Sequence, residues 1–170
     1  MIIRTETKAD FEAVYHVNYT AFGNRDDEAK LVEAIRQSEG FISELSLVAE
    51  CNNEICGHLL LSKAYIVEGN VKHAVIALAP IAVSPKSQKS GVGSSLINEG
   101  LKRCRDLGFP LVLLIGHPEY YSKFGFKPAR SFGLELKQFE VPDDVFMVYE
   151  LREGALQQIN GELQYPDTFF

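Results

Sequence analysis

Gln88-Lys89-Ser90-Gly91-Val92-Gly93 stands between an apolar run, Val75 to Val83, and a helical pattern that begins near Gly91. The succession reads as strand, short glycine-containing loop, helix. A helix start carries backbone N–H groups with no internal acceptor, and the positive end of the helix dipole lies behind them. Such a start is a ready anion site, so the loop points to a phosphorylated ligand. The two glycines would also serve a plainer purpose, letting a helix and a strand pack closely.

What the loop lacks narrows the ligand. A phosphate loop of the nucleotide-hydrolase kind ends in Gly-Lys-Ser/Thr, whereas Ser94-Ser95 follows Gly93 here. A dinucleotide fingerprint needs three glycines near the first strand and an acidic residue further on, and this loop has two glycines and lies mid-chain. Just upstream, Pro80 interrupts a run that otherwise reads as core. Proline cannot donate to a ladder, so it marks an edge or a bulge, or a point where two neighbouring strands part. Parted strands leave backbone groups free to bond an extended ligand arm. A free-edged strand leading into a phosphate loop suits a ligand that is both peptide-like and phosphorylated, and coenzyme A is such a molecule.

The 170 residues, 46% of them apolar, suit one domain with a sizeable core, residues 1–170. A net charge of −6 with no basic run argues against nucleic acid or an anionic membrane as main partner and tolerates a cationic substrate. Met1 to Glu6 lacks the apolar stretch of a signal peptide, which places the protein in the cytoplasm. Three cysteines, Cys51, Cys56 and Cys104, are then expected to be buried free thiols and not a disulfide framework. No cluster suggests a metal.

Along the chain, Ile2 to Glu6 reads as a strand and Thr7 as a helix cap. Phe11, Val14, Tyr15, Val17 and Asn18 follow helical spacing, and a second helix covers Asp27 to Gln37. Leu45 to Cys51 and Ile55 to Val67 read as an antiparallel hairpin, and Lys72 to Val83 as a long strand. After the loop comes a helix through Leu107, ended by Gly108. Leu111 to Ile115 is short and continuously aliphatic, as a central strand covered on both faces requires. A helical turn near Tyr120 to Phe124, strand pieces at Leu134 to Leu136 and Val145 to Leu151, and an irregular tail follow.

These residues resemble the GNAT superfamily of N-acetyltransferases over nearly the whole chain. The superfamily's motif V-x-P-x-x-Q/R-x-x-G-x-G/A appears as Val83-Ser84-Pro85-Lys86-Ser87-Gln88-Lys89-Ser90-Gly91-Val92-Gly93. Its aromatic-Tyr pair ahead of Gly-Phe appears as Tyr120-Tyr121-Ser122-Lys123-Phe124-Gly125-Phe126. The segment from Gly116 to Tyr121 and the ending from Glu150 to Leu156 look most like the predicted acetyltransferases of the YhbS type, a branch mostly of undefined substrate. The resemblance implies an α/β (α+β) fold with a central mixed, twisted sheet of about six to seven strands, two N-terminal helices, and strands parting at the cofactor site. It implies acetyl-CoA as donor and direct transfer to an amine in a ternary complex.

Laid onto this sequence, the resemblance has backbone groups of Ile81, Ala82 and Val83 meeting the pantetheine arm. The amides of Gln88, Lys89, Ser90, Gly91, Val92, Gly93 and Ser94 would cradle the pyrophosphate, with the Lys89 side chain either on a phosphate or solvated. Tyr121 would be the general acid to the departing thiolate, or an aromatic packed over the cofactor. An alkyl amine of pKa about 10.4 must lose a proton to react, so a base is needed. Many relatives place a glutamate where this chain has Ala77, Leu78, Ala79 and Pro80. Remaining candidates are Glu28, otherwise a first-turn residue facing the helix dipole, His117, otherwise a fixture of its own turn, Glu119, and a water relay. The missing strand carboxylate also keeps open a non-catalytic acyl-CoA sensor or interaction module on the same fold. The acceptor, a small molecule or a protein amine, is expected against the first two helices around Phe22 to Glu28 and the turn near His117. Tyr165, Phe169 and Phe170 in the tail need cover, from the domain or from a second subunit in a homodimer.

Overall fold

A computed structural model describes residues 1–170. Nine strands and five α-helices follow in the order β1 (Ile2–Thr5), α1 (Phe11–Ala21), α2 (Asp27–Arg36), β2 (Ser46–Cys51), β3 (Glu54–Glu68), β4 (Val71–Val83), α3 (Val92–Asp106), β5 (Leu111–Ile115), α4 (Pro118–Tyr121), β6 (Lys127–Pro128), β7 (Leu134–Glu135), β8 (Phe146–Glu150), α5 (Ala155–Gln158) and β9 (Gly161–Gln164). The sheet is mixed, as expected. Two of its nine strands are two-residue ladders, and β9 forms in the tail that the sequence leaves irregular.

The chain divides into two compact units, Met1–Ser62 with Leu78–Arg103, and Lys63–Ala77 with Cys104–Phe170. In the first, β1 pairs antiparallel with β2 and β2 with β3. Thr7 opens the helical segment as expected, donating its N–H and hydroxyl to Asp10 Oδ2 at 2.7 and 3.1 Å. Arg4 then ties β1 to that turn and to β2 through Asp10 (2.7 Å) and Glu50 (2.5 Å). The Arg4 guanidinium holds the Asp10 carboxyl down at about 2.

Helix α3 buries Val92, Leu96, Ile97 and Leu101, a stripe at helical spacing, against the face of β3 that carries Gly57, Leu59 and Leu61. Two glycines make the approach close. A methyl on Gly57 would lie 2.8 Å from Val92 Cγ1 and 3.0 Å from Leu96 Cδ1, and one on Gly100 would lie 2.7 Å from Leu61 Cδ1. The other face of β3 presents His58 to α1. Its Nδ1 accepts from the Asn18 amide at 3.2 Å, which leaves the proton on Nε2 to meet Ser46 Oγ at 3.1 Å. The Ser46 hydroxyl donates to Glu6 Oε2 (2.7 Å), and Arg36 clamps Glu6 at 2.6 and 3.1 Å. The network is fully internal, and burial pulls the His58 imidazole down to about 4 against the attraction of Glu6.

In the second unit β5 pairs with β8 over five antiparallel positions and with β4 in parallel. The parallel register consists of Ile76↔Val112 and Ala77↔Leu113 and ends there, short of the buried Pro80 and its cis peptide bond. Strand β9 pairs with β3 at Tyr65, Ile66 and Val67. The core unites Ile66, Val75, Leu111, Leu113, Phe146 and Val148 with Ile159 and Leu163. Of the tail aromatics, Tyr165 is buried and Phe169 packs on that core, while Phe170 stacks on Phe139 and stays exposed.

Candidate active site

The first unit holds the phosphate-loop candidates. After β4 the chain makes one 3-10 turn, Pro85–Ser87, then reverses through two left-handed residues, Lys89 (φ +64°) and Gly91 (φ +89°). Gln88 Nε2 donates to Val83 O at 3.2 Å, and the Ser90 hydroxyl donates to Ser87 O, so both side chains brace the loop they sit in. Ser95 N–H closes the first turn of α3 on Gly91 O at 3.1 Å. The amides of Val92, Gly93 and Ser94 therefore precede the first intrahelical donor, Ser95 N–H, and remain available to an anion. A methyl on Gly91 would meet nothing within 4 Å, so its glycine answers to backbone angle and not to crowding. The loop is polar and exposed at Gln88, Lys89, Ser90 and Gly91, with no neighbouring carboxylate among its hydrogen bonds. It fits a pyrophosphate group.

Glu28 also belongs to the first unit. It shares a helical stripe with Val32 and Ile35, both buried, so it heads the packed face of α2 as well as its first turn. Its Oε1 is buried without a hydrogen-bond partner.

The second unit holds Tyr121 and His117. The His117 carbonyl accepts from Tyr120 N–H and Tyr121 N–H, both at 3.1 Å, so its backbone fixes the turn while the imidazole is exposed. Tyr121 is buried beneath an aromatic ladder, 5.0 Å from Tyr120 edge-on and 5.7 Å from Phe126. Gly116 is the floor: a methyl there would collide with Cδ2 and Cε2 of the Tyr121 ring. Burial, with Tyr120 adding to it, pushes the Tyr121 phenol up to about 12. Tyr120 packs edge-on against both Tyr121 and Phe124.

One expectation fails. Cys51 and Cys56, expected as free thiols, are joined in a disulfide with their Cα atoms 5.8 Å apart. The cause is a register shift between Ala49 and Glu50 that the sequence does not show. Cys104 alone is free; it is buried, and burial pushes its thiol up to about 12. Sequence reasoning also missed the Asn18–His58–Ser46–Glu6 network, although a histidine inside the apolar run Ile55 to Val67 was its visible trace. No group of three or more His, Cys, Asp or Glu residues is arranged to hold a metal ion. No helix is long and apolar enough to cross a membrane.

The profile of the acetyltransferase (GNAT) domain matches residues 2–129, and the chain belongs to that family. It is 29% identical over 170 residues to the uncharacterized N-acetyltransferase YhbS of Escherichia coli K12, covering 99% of this chain and 98% of the relative. It is 35% identical over 122 residues to the uncharacterized N-acetyltransferase YjhQ of the same organism, covering 72% of this chain and 67% of the relative. The crystal structure of Escherichia coli YhbS in complex with CoA matches with a TM-score of 0.88 at 27% identity, over 99% of this chain and 91% of that one. A GNAT acetyltransferase from Brucella melitensis in complex with acetyl-CoA matches at 0.80 and 28% identity, over 99% and 97%.

Proposed function

We propose that residues 1–170 act as one cytoplasmic domain that moves an acetyl group from acetyl-CoA to a primary amine, by direct transfer with donor and acceptor bound together. The observation that carries this reading is the cradle: three free amides at the start of a long buried-face helix, behind a loop braced by Gln88 and Ser90. Gln88 to Ser94 hold the pyrophosphate, and the exposed Lys89 adds its charge to a phosphate. Backbone groups of Ile81, Ala82 and Val83, beyond the end of the parallel register, bond the pantetheine arm. An N–H among them polarises the thioester oxygen.

The thioester supplies an activated acyl carbon. The amine nitrogen bonds to it as the carbon–sulfur bond breaks, the amine's extra proton passes to a base, and Tyr121 donates a hydrogen bond to the departing sulfur. Glu28 is the preferred base, because its Oε1 is buried and without a hydrogen-bond partner, whereas the His117 imidazole is exposed. An unpaired buried carboxylate oxygen suits an incoming ammonium on electrostatic grounds. Membership of an N-acetyltransferase family sets the non-catalytic sensor aside.

The test is incubation with acetyl-CoA and an amine panel, following release of the CoA thiol. Turnover on an amine, abolished in Glu28→Gln with CoA affinity retained, is the expected result; turnover undiminished in that variant would remove Glu28 as base. Tight binding without turnover on any amine would defeat the reading. Sedimentation decides the homodimer, since one chain weighs 19.0 kDa.

A further inference from the structure

The disulfide exists because the hairpin is out of step with itself. Strands β2 and β3 pair Ala49 with Gly57 and then Glu50 with Ile55, so Cys56 is the extra residue of a bulge. In an unbulged ladder Cys51 would oppose Ile55 and Cys56 would oppose Glu50. Directly paired residues share a face and neighbours along a strand do not, so the two sulfurs would then lie on opposite faces. The bulge brings them to one side. Asn52 and Asn53, both left-handed at φ +52° and +65°, make the turn between them. Cys56 is buried, Cys51 is half-buried, and both line a hollow of about 240 Å³ that also exposes Glu54, Lys86 and Ser87.

The same bulge is fastened to the loop that opens the cradle. Cys56 O accepts from Ser84 N–H at 2.8 Å, and Glu54 holds Lys86 at 3.1 Å. Ser87, on the rim of the hollow, accepts from the Ser90 hydroxyl. Residue 57, next after the bulge, is the glycine on which Val92 and Leu96 of α3 are seated. Whatever shifts Cys56 therefore shifts Ser84 and the seat of α3.

We propose that Cys51–Cys56 is a redox-active pair that exchanges with low-molecular-weight thiols and disulfides, and that its bonded state holds the adjacent loop in its phosphate-binding form. The inference rests on the coenzyme A reading of that loop. In the reducing direction a thiolate attacks the sulfur of the half-buried Cys51, giving a mixed disulfide and the Cys56 thiolate. A second thiolate attacks the mixed disulfide, releasing the small disulfide and the Cys51 thiolate, and each cysteine takes up one proton. Two small thiols are oxidised to one disulfide while the protein disulfide is reduced by two electrons. The reverse needs a small disulfide such as oxidised glutathione. Freed of its crosslink, the bulge no longer has to be kept, and the Ser84 anchor slackens.

The experiment equilibrates the whole protein in reduced and oxidised glutathione mixtures, counts alkylatable thiols by intact mass, and measures CoA affinity by calorimetry in each. Cys51 and Cys56 should gain and lose reactivity together, and the reduced protein should bind CoA several-fold more weakly. A Cys51→Ser, Cys56→Ser variant should bind like the reduced protein in every mixture. Failure of the two thiols to pair under oxidised glutathione would overturn the proposal, as would equal affinity in both states or a redox response surviving in the double variant. Absence of CoA binding in both states would defeat the reading of the loop and the affinity half of the proposal with it, while the thiol count would still decide the exchange.

Discussion

Tyr121 shows how a side chain's surroundings choose among its chemical roles. Its phenol, raised to about 12 by burial and by Tyr120, stays protonated at neutral pH. In the proposed transfer it is therefore a donor and not a base. A thiol titrates near 8.5, so handing the proton over completely would run uphill by about 5 kcal/mol, and a hydrogen bond to the developing charge is the useful contribution. Tyr121→Phe should lower kcat about 10²-fold and leave CoA affinity unchanged. Because the folded phenol titrates only near 12, the wild-type rate should show no alkaline loss assignable to it below about pH 10; a limb there that vanishes in the phenylalanine variant would contradict this. Gly116→Ala should depress kcat too, by forcing the ring off its floor, at a stability cost of about 1–3 kcal/mol measurable by urea titration. Lys89→Gly keeps the left-handed turn and removes the ammonium, so it should weaken CoA binding with no loss of stability; an unchanged dissociation constant would return Lys89 to solvent. The tyrosine was legible in its motif. Its glycine floor was not, because that glycine's role exists only once a residue five positions on folds back over it.

Helix α3 was the most readable element, since a loop, a glycine pair and an apolar stripe all gave the same start. Its depth against β3 was not readable, because Gly57 and Gly100 matter only when facing Val92 and Leu61. Gly57→Ala should push back the first turn of α3, with less room than a methyl needs against Val92 Cγ1 and the Ala82 carbonyl. CoA affinity should fall, and the melting temperature with it, by about 1–3 kcal/mol of stability. A variant that melts lower but binds CoA normally would separate the seat of the helix from its cradle. The β2–β3 hairpin teaches the converse. Its strands were placed correctly, yet a one-residue bulge turned two expected free thiols into a bonded pair. Spacing along a strand fixes faces only while the register is regular.

For the molecule as a whole, the buried histidine sets how it meets acid. His58 titrates near 4 when folded and near 6.5 when unfolded, so the unfolded chain takes the proton first. The associated stability is complete above about pH 6.5 and drains away as pH falls towards 4, a loss of about 3 kcal/mol. Urea midpoints measured from pH 7 down to pH 4 should fall across that window. In His58→Gln they should fall less, from a lower starting value; equal slopes would exonerate the histidine. The class of fold, the order of its elements and a break in pairing before Pro80 were legible because each rests on periodicity or on proline's missing N–H. The tail was not, because Gly161 to Gln164 becomes a strand only by finding β3 and β7.

That late pairing makes the C-terminal strand a guard as well as a structural piece. Strand β9 occupies the hydrogen-bonding edge of β3 at Tyr65, Ile66 and Val67, a short β-branched and aromatic stretch. Stripped of that cover, the stretch would offer its open amides and carbonyls to any other extended chain. Clipping by a protease in the turn around Asn160 would thus cost solubility as well as the core contacts of Leu163 and Tyr165.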